Sequence, residues 1–129
     1  MVDINDLKKM NDNYGHKAGD WYIQGCCQAI CNAFEHSPVF RIGGDEFVVI
    51  AENEDYINRR TRFEELKKVF EISRTNETDK PWEKLSAAVG MAETSSEDNS
   101  AELVFKRADK EMYENKIEFK NEHNNRQRK

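Results

Sequence analysis

A glycine pair between two short apolar runs constrains the fold of this chain most strongly. Residues 39–42 and 47–51 are rich in β-branched and aromatic side chains, and Gly-Gly-Asp-Glu joins them at residues 43–46. Paired glycines suit a tight connection, so the segment predicts two strands joined by a turn. The glycines also let a phosphate approach the backbone, and the two acids offer oxygen ligands for Mg²⁺. Taken alone, the segment fits better an ordinary hairpin whose acids face water.

The rest of the hydrophobic pattern adds helices and two more strands. Helices are predicted at residues 6–13, 18–35, 56–73 and 101–119, and strands at 2–5 and 85–92. Asp20 fits a cap at the start of the second helix, and Tyr56 joins Phe63, Leu66 and Phe70 in one apolar stripe. Residues 1–119 then form one domain with a mainly antiparallel central sheet and helices on one face, which is an α+β fold. Residues 120–129 have almost no apolar side chain and are predicted to be a disordered tail.

Composition excludes several kinds of partner and location. The 129 residues carry 20 basic and 25 acidic side chains, a net charge of −5, which argues against a nucleic-acid surface. No apolar run approaches the roughly 20 residues of a membrane span, so we expect no membrane contact by this segment. Charged residues begin at Asp3, which does not fit a secretory signal. The three cysteines, Cys26, Cys27 and Cys31, form neither a disulfide framework nor a zinc pattern and fit a reducing cytoplasm.

Two further motifs stand before and after the glycine turn. Residues 3–20 fit D-x-(D/N)-x-(F/L)-K-x-x-N-D-x-x-G-H-x-x-G-D, and residues 108–116 fit A-D-x-x-(L/M)-Y-x-x-K. Together with Arg41 and the Gly-Gly-Asp-Glu-Phe turn, these motifs resemble the GGDEF domain of diguanylate cyclases from Asp3 to about Lys120. The resemblance implies a ferredoxin-like, nucleotide-cyclase palm fold. It also implies an enzyme of bacterial second-messenger signalling that joins two GTP into cyclic di-GMP and releases two pyrophosphates.

The resemblance implies a metal site built around the first strand and the turn. Asp3 through its carboxylate, Ile4 through its backbone carbonyl and Asp45 through its carboxylate would hold Mg²⁺ or Mn²⁺. Glu46 would help to hold the metal or to deprotonate the attacking hydroxyl. One domain presents one GTP, so catalysis would need a homodimer.

The resemblance also implies contacts with the GTP substrate. Gly43 and Gly44 would lie against its phosphates, Asn11 and Asp20 would read the guanine edge, and Lys8, Lys116 and Lys120 would neutralise phosphate charge. Simpler interpretations stand beside these. Asn11 fits a turn, Asp20 fits a helix cap, and exposed lysines are ordinary surface residues. Lys120 also stands where the family usually has arginine, which would remove bidentate phosphate binding.

Three departures from the family limit what the chain is expected to do. Phe34 and Ser37 replace the R-x-x-D inhibitory site, so product feedback through that site should be absent. Ala88 stands where the family usually has serine. Family members also carry a helix, a turn and most of the first strand before the position of Asp3. We therefore expect a weakly active, inactive or domain-swapped fragment. Its full-length parent would carry a sensory domain and could be membrane-anchored.

Two other functions compete with the cyclase. The first is a non-catalytic module that binds GTP or cyclic di-GMP and regulates a partner. The intact Asp45 and Glu46 weigh against it, because degenerate members of the family usually lose these acids. The second is a nucleic-acid binder on a ferredoxin-like fold, which fits poorly because basic residues do not cluster with exposed aromatic side chains.

Overall fold

The computed structural model describes the backbone of residues 1–127 and the side chains of residues 1–122, and its strands form an antiparallel sheet. The strands are β1 (Val2–Ile4), β2 (Val39–Arg41), β3 (Glu46–Val49) and β4 (Ala87–Val89), in the spatial order β2-β3-β1-β4. β1 is a short strand of three residues, and it lies inside the sheet between β3 and β4. The α+β class and the antiparallel sheet predicted from the sequence are confirmed.

The first two helices are separated by a single residue. α1 (Leu7–Tyr14) ends and α2 (His16–Ala33) begins at Gly15, whose φ of 91° lies in the left-handed region that favours glycine. The prediction that Asp20 caps the second helix is wrong, because α2 starts at His16 and no side-chain cap bonds its first turn. Asp20 stands one full turn inside the helix and is exposed.

The predicted helix at residues 56–73 is two helices. α3 (Asn53–Ile57) and α4 (Arg59–Arg74) meet at Asn58, whose φ of −101° and ψ of 24° leave the helical region. The break changes the direction of the α3 side chains, so Tyr56 is 45% exposed and does not join the apolar stripe of α4. Instead, the Arg59 guanidinium lies 4.4 Å above the Tyr56 ring. A short 3-10 helix, Pro81–Glu83, follows α4.

The main hydrophobic core lies between one face of the sheet and helices α2 and α4. Its buried side chains come from the sheet (Val2, Ile4, Phe47, Val89), from α2 and its C-terminal cap (Tyr22, Cys26, Ile30, Phe34) and from α4 (Phe63, Leu66, Phe70). Burying one such side chain contributes about 1.5–3 kcal/mol. Because successive residues of a strand point to opposite faces, Asp3 faces away from this core.

The last helix, α5 (Ala101–Gln127), lies on the face of the sheet that carries Asp3, because its Lys116 contacts that side chain, so the prediction of helices on one face is wrong. Its backbone lies directly against Gly90, where an added Cβ would come within 2.2 Å of Met112 N. The helix also continues to Gln127, where the sequence pattern predicted a disordered tail from Lys120. An ion pair of 3.3 Å between Arg74 Nη2 and Glu122 Oε2 ties this extension to α4. Residues 128 and 129 lie outside the described residues.

No helix within residues 1–127 has both the length and the apolar content to cross a bilayer.

Candidate active site

Asp3 is the buried carboxylate at the centre of the sheet. It is 7% exposed, and its cross-strand partners are Glu46 in β3 and Ala88 in β4. Lys116 Nζ of α5 donates a hydrogen bond of 2.6 Å to Asp3 Oδ2, although 113 residues separate the two in sequence. The other carboxylate oxygen, Asp3 Oδ1, is buried without a hydrogen-bond partner. A buried oxygen in this condition is costly unless another group satisfies it.

Arg41 holds the glycine turn in shape. Its Nε donates to the Gly43 carbonyl at 3.2 Å and its Nη2 to the Gly44 carbonyl at 2.7 Å. The Ile42 N–H closes the turn on the Glu46 carbonyl at 2.9 Å. The sequence motif included Arg41 without giving it a task, and the structure shows that it orients both glycine carbonyls.

A backbone hydrogen bond brings the turn to β1. The Ile4 N–H donates to the Asp45 carbonyl at 2.8 Å. The same strand pairing sets Asp3 opposite Glu46. Asp3, Ile4, Asp45 and Glu46, the four predicted metal-site residues, are therefore brought together at one place.

The carboxylates of this cluster repel one another. Burial raises the pKa of Asp3 above its ordinary value; Lys116 lowers it, and Asp45 raises it further. Burial also raises the pKa of Glu46, and the charges of Asp3, Asp45 and Asp109 raise it again, while Lys116 lowers it. One cation thus compensates a group of close acids, an arrangement that suits the binding of further positive charge.

Asp109 is an acid of this cluster that the sequence interpretation missed. It belongs to the matched motif of the last helix, but it was given no role. The spacing in the sequence could have predicted it, because Asp109 and Lys116 are seven residues apart and therefore lie on one face of α5.

The residues present fit a divalent cation of the Mg²⁺ type only with help from other ligands. The oxygen donors are the Asp3 and Asp45 carboxylates with Glu46 beside them, and Asp3 Oδ1 has no partner of its own. In the part of the chain that is described, no group of three or more His, Cys, Asp or Glu side chains is arranged to hold a metal. Mg²⁺ commonly takes one or two carboxylates and completes its shell with phosphate oxygens and water. The donor set fits that pattern.

The two glycines of the turn leave open space. Both are exposed, and an added Cβ would meet no heavy atom within 4 Å at Gly44 and only Glu46 at ordinary contact distance at Gly43. Neither has the positive φ that requires glycine. The turn geometry therefore does not explain the pair, whereas a ligand that approaches the backbone closely would explain it.

The predicted guanine-reading residues lie where α1 meets α2. Asn11 packs its side-chain amide directly on Gly19, where an added Cβ would come within 1.7 Å of Asn11 Oδ1. Asp20 follows Gly19 and is exposed on α2. The close helix crossing made possible by Gly19 thus fixes Asn11 beside the turn of α2 that carries Asp20.

The three predicted phosphate-binding lysines have different surroundings. Lys116 is partly buried and contacts Asp3, whereas Lys8 on α1 and Lys120 on α5 are exposed. Lys116 is therefore brought to the carboxylate cluster, and the other two keep the surroundings of surface lysines.

A second set of polar contacts supports the end of β1. Asn5 is buried; its N–H donates to the Ser86 carbonyl at 2.9 Å and its side-chain amide to Ser86 Oγ at 3.0 Å. The Tyr22 hydroxyl donates to the Asn5 carbonyl at 2.8 Å. These contacts fix the chain two residues after Asp3, and neither Asn5 nor Tyr22 was predicted to support the site.

The family model for the diguanylate cyclase GGDEF domain matches residues 1–122. The chain belongs to the GGDEF domain family. Relatives include diguanylate cyclase DgcS of Shewanella oneidensis, 32% identical over 94% of this chain and 39% of that protein. Diguanylate cyclase A of Treponema denticola is 29% identical over 94% of this chain and 33% of its own length. The chain thus spans between a third and two fifths of these relatives.

Solved structures of this family have the same fold. The active GGEEF domain of a diguanylate cyclase from Vibrio cholerae superposes with a TM-score of 0.73 at 22% identity, over 88% of this chain and 71% of that one. The GGDEF domain of DgcB from Caulobacter crescentus, in complex with c-di-GMP, has a TM-score of 0.70 at 27% identity. That match covers 90% of this GGDEF chain and 69% of the other. The predicted family and fold are confirmed.

Proposed function

We propose that this GGDEF domain is the catalytic part of a diguanylate cyclase that condenses two GTP into cyclic di-GMP and releases two pyrophosphates. The observation that carries the proposal is the meeting of Asp3 with the Asp45–Glu46 pair, on the face of the sheet reached by Lys116. Both curated relatives described above carry the name diguanylate cyclase. A binding module without activity would not need these acids in one cluster with an unsatisfied carboxylate oxygen.

The chemistry assigns tasks to groups of the cluster. Asp3, Asp45 and the Ile4 carbonyl would hold Mg²⁺ or Mn²⁺, which when bound stabilises charge on the transferring phosphoryl group. Glu46 would accept the proton of the attacking 3′-hydroxyl, because a raised pKa makes a carboxylate a better base. The open backbone at Gly44 would lie against the phosphates.

The guanine would lie at the junction of α1 and α2. The Asn11 amide and the Asp20 carboxylate offer the donors and acceptors that match a guanine edge. Lys8, Lys116 and Lys120 would neutralise the triphosphate. Because one domain presents one GTP, two domains must face each other, and we propose a homodimer in the catalytic state.

The setting in the cell is part of the same proposal. We propose that the domain acts in the cytoplasm, attached to a sensory domain. Uncharacterized membrane protein SH2145 of Staphylococcus haemolyticus is 31% identical over 95% of this chain. A membrane-anchored parent is therefore compatible with the proposal.

The test is product formation from GTP with a matched pair of variants. The chain is incubated with GTP and Mg²⁺, and cyclic di-GMP and pyrophosphate are quantified by chromatography. Asp45→Asn removes a proposed metal ligand and should lower the turnover at least about 100-fold, a typical loss for a group acting on the reacting phosphoryl. Asp79→Asn, at an exposed loop position, makes the same change of charge and should leave the turnover unchanged.

Two outcomes would reject the proposal. Nucleotide binding in a calorimeter without any product, from a parent protein as well as from this chain, would assign a binding module instead. Equal turnover of Asp45→Asn and the wild type would refute the metal-ligand role of Asp45.

A further inference from the structure

Two groups that the proposed reaction assigns to different ligands bind each other in this structure. Asp3 would hold the metal, and Lys116 would hold a phosphate. Yet Lys116 Nζ lies 2.6 Å from Asp3 Oδ2, with the lysine side chain 25% and the aspartate side chain 10% exposed. The contact is a short charge-assisted hydrogen bond between two largely buried groups, not a solvated surface pair.

This contact places a positive charge directly beside the free oxygen of Asp3 that a metal would use. An ammonium group and a divalent cation cannot both lie at bonding distance from the same small carboxylate without strong repulsion. Asp3 Oδ1, the other oxygen, is buried and without a partner, so the site is half filled by the lysine. A divalent cation at Oδ1 is therefore repelled by the ammonium at Oδ2, and departure of the ammonium relieves that repulsion.

The lysine can leave without any movement of its helix. Its four-carbon stem is flexible, and α5 is held independently by the backbone contact at Gly90 and by the hydrogen bond of 3.1 Å from Val89 N to Asn115 Oδ1. A triphosphate beside the open glycine turn would give the displaced ammonium a new anionic partner. Without such a partner, displacement leaves Lys116 uncompensated.

We propose that Lys116 is the resident counter-ion of the metal site, and that it blocks the binding of a divalent cation until a nucleotide phosphate takes it over. Cation and triphosphate then enter together, with positive coupling between them. This inference depends on the proposed cyclase function through the assignment of Asp3 to the metal. It assigns to Lys116 a task in the nucleotide-free protein, in addition to the neutralisation of phosphate.

The test measures the binding of Mn²⁺ to the nucleotide-free protein by the loss of the electron paramagnetic resonance signal of the free ion. The wild type should bind Mn²⁺ weakly. Lys116→Gln removes the competing charge and should tighten Mn²⁺ binding by about tenfold, within the usual range of coupling between two sites. Lys110→Gln, an exposed lysine on the same helix, makes the same change of net charge and should leave the affinity unchanged. Lys116→Arg keeps the positive charge and should remain close to the wild type.

Three results would overturn the proposal. Equal Mn²⁺ affinity of Lys116→Gln and the wild type would mean that the lysine does not compete. An equal gain in Mn²⁺ affinity for Lys110→Gln would mean that the change in net charge alone causes the effect. If the double variant with Asp3→Asn and Lys116→Gln keeps the gain in Mn²⁺ affinity, Asp3 is not the ligand.

Folding of the variant is checked in the same titration. If Lys116→Gln loses structure in chelator, Mn²⁺ should restore its circular dichroism spectrum, and failure to do so also rejects the proposal. The proposed cyclase function is tested by a different measurement, the formation of product from GTP. Absence of product would reject that function, whereas the Mn²⁺ affinities decide the role of Lys116.

Discussion

Replacing Gly90 with alanine should separate α5 from the sheet and destabilise the domain. An added Cβ would lie 2.2 Å from Met112 N and 2.3 Å from Ala108 O, where real Cβ contacts stay beyond 3.0 Å. Both opposing atoms are backbone, so no side chain can rotate away. The helix must retreat by about 0.8 Å at least, the difference between the two distances.

The cost follows from two effects. Overpacking of a close contact costs about 1–3 kcal/mol. Retreat of the helix also lengthens the bond of 3.1 Å between Val89 N and Asn115 Oδ1, worth about 0.5–1.5 kcal/mol. We therefore expect Gly90→Ala to lower the free energy of unfolding by about 2–4 kcal/mol, a large part of the 5–15 kcal/mol typical of a domain.

Urea unfolding followed by tryptophan fluorescence and circular dichroism measures this change. Gly44→Ala is the control, because an added Cβ there meets no atom within 4 Å and φ is not positive. It should change the free energy of unfolding by less than about 0.5 kcal/mol. If the two alanine variants unfold at the same urea concentration, the close contact between α5 and Gly90 is not a constraint and the reasoning fails.

Two further substitutions test the nucleotide and metal residues. At Gly19 the atoms nearest to an added Cβ all belong to the flexible Asn11 side chain, so Gly19→Ala should cost only the strain of moving that side chain, about 0.5–1.5 kcal/mol. The displaced Asn11 should weaken GTP binding about tenfold, measured by calorimetry. Unchanged affinity would exclude Asn11 from the guanine site. Glu46→Gln removes a like-charge pair opposite Asp3 and should stabilise the metal-free protein by about 0.2–1 kcal/mol at pH 7. Because the folded-state pKa of Glu46 is raised, this gain should shrink as the pH falls through that pKa and vanish below the ordinary value of 4.5. Urea unfolding at several pH values checks it, and a gain that persists in acid would refute the repulsion.

The parts of the fold that the sequence predicted well are those that depend on local pattern. The glycine turn, the stripe of Phe63, Leu66 and Phe70, and the start of β1 at Val2 follow from residue types a few positions apart. One error lies where a single residue changes the direction of the chain. Asn58 divides the predicted third helix, and no glycine or proline marks the break.

The sequence predicted which residues the candidate site groups together, but not the contacts between them. The motifs brought Asp3, Asp45, Glu46 and Lys116 into one proposal through family resemblance. The bond of 2.6 Å between Lys116 and Asp3 joins residues 113 positions apart, and no periodicity spans that distance. The packing that creates it depends on a backbone contact at Gly90, and the sequence alone gives no sign that a helix lies there.

The side chains of the candidate active site lower the stability of the folded domain. Two facing carboxylates have raised pKa values, and one buried oxygen has no partner. A sequence selected for stability alone would place an amide or an apolar residue opposite Asp3, because like charges across a strand pair destabilise it. The core on the other face tolerates this cost, since it buries apolar side chains from the sheet, α2 and α4. A metal-binding function would explain the arrangement better, because a bound cation would turn the same repulsion into binding energy.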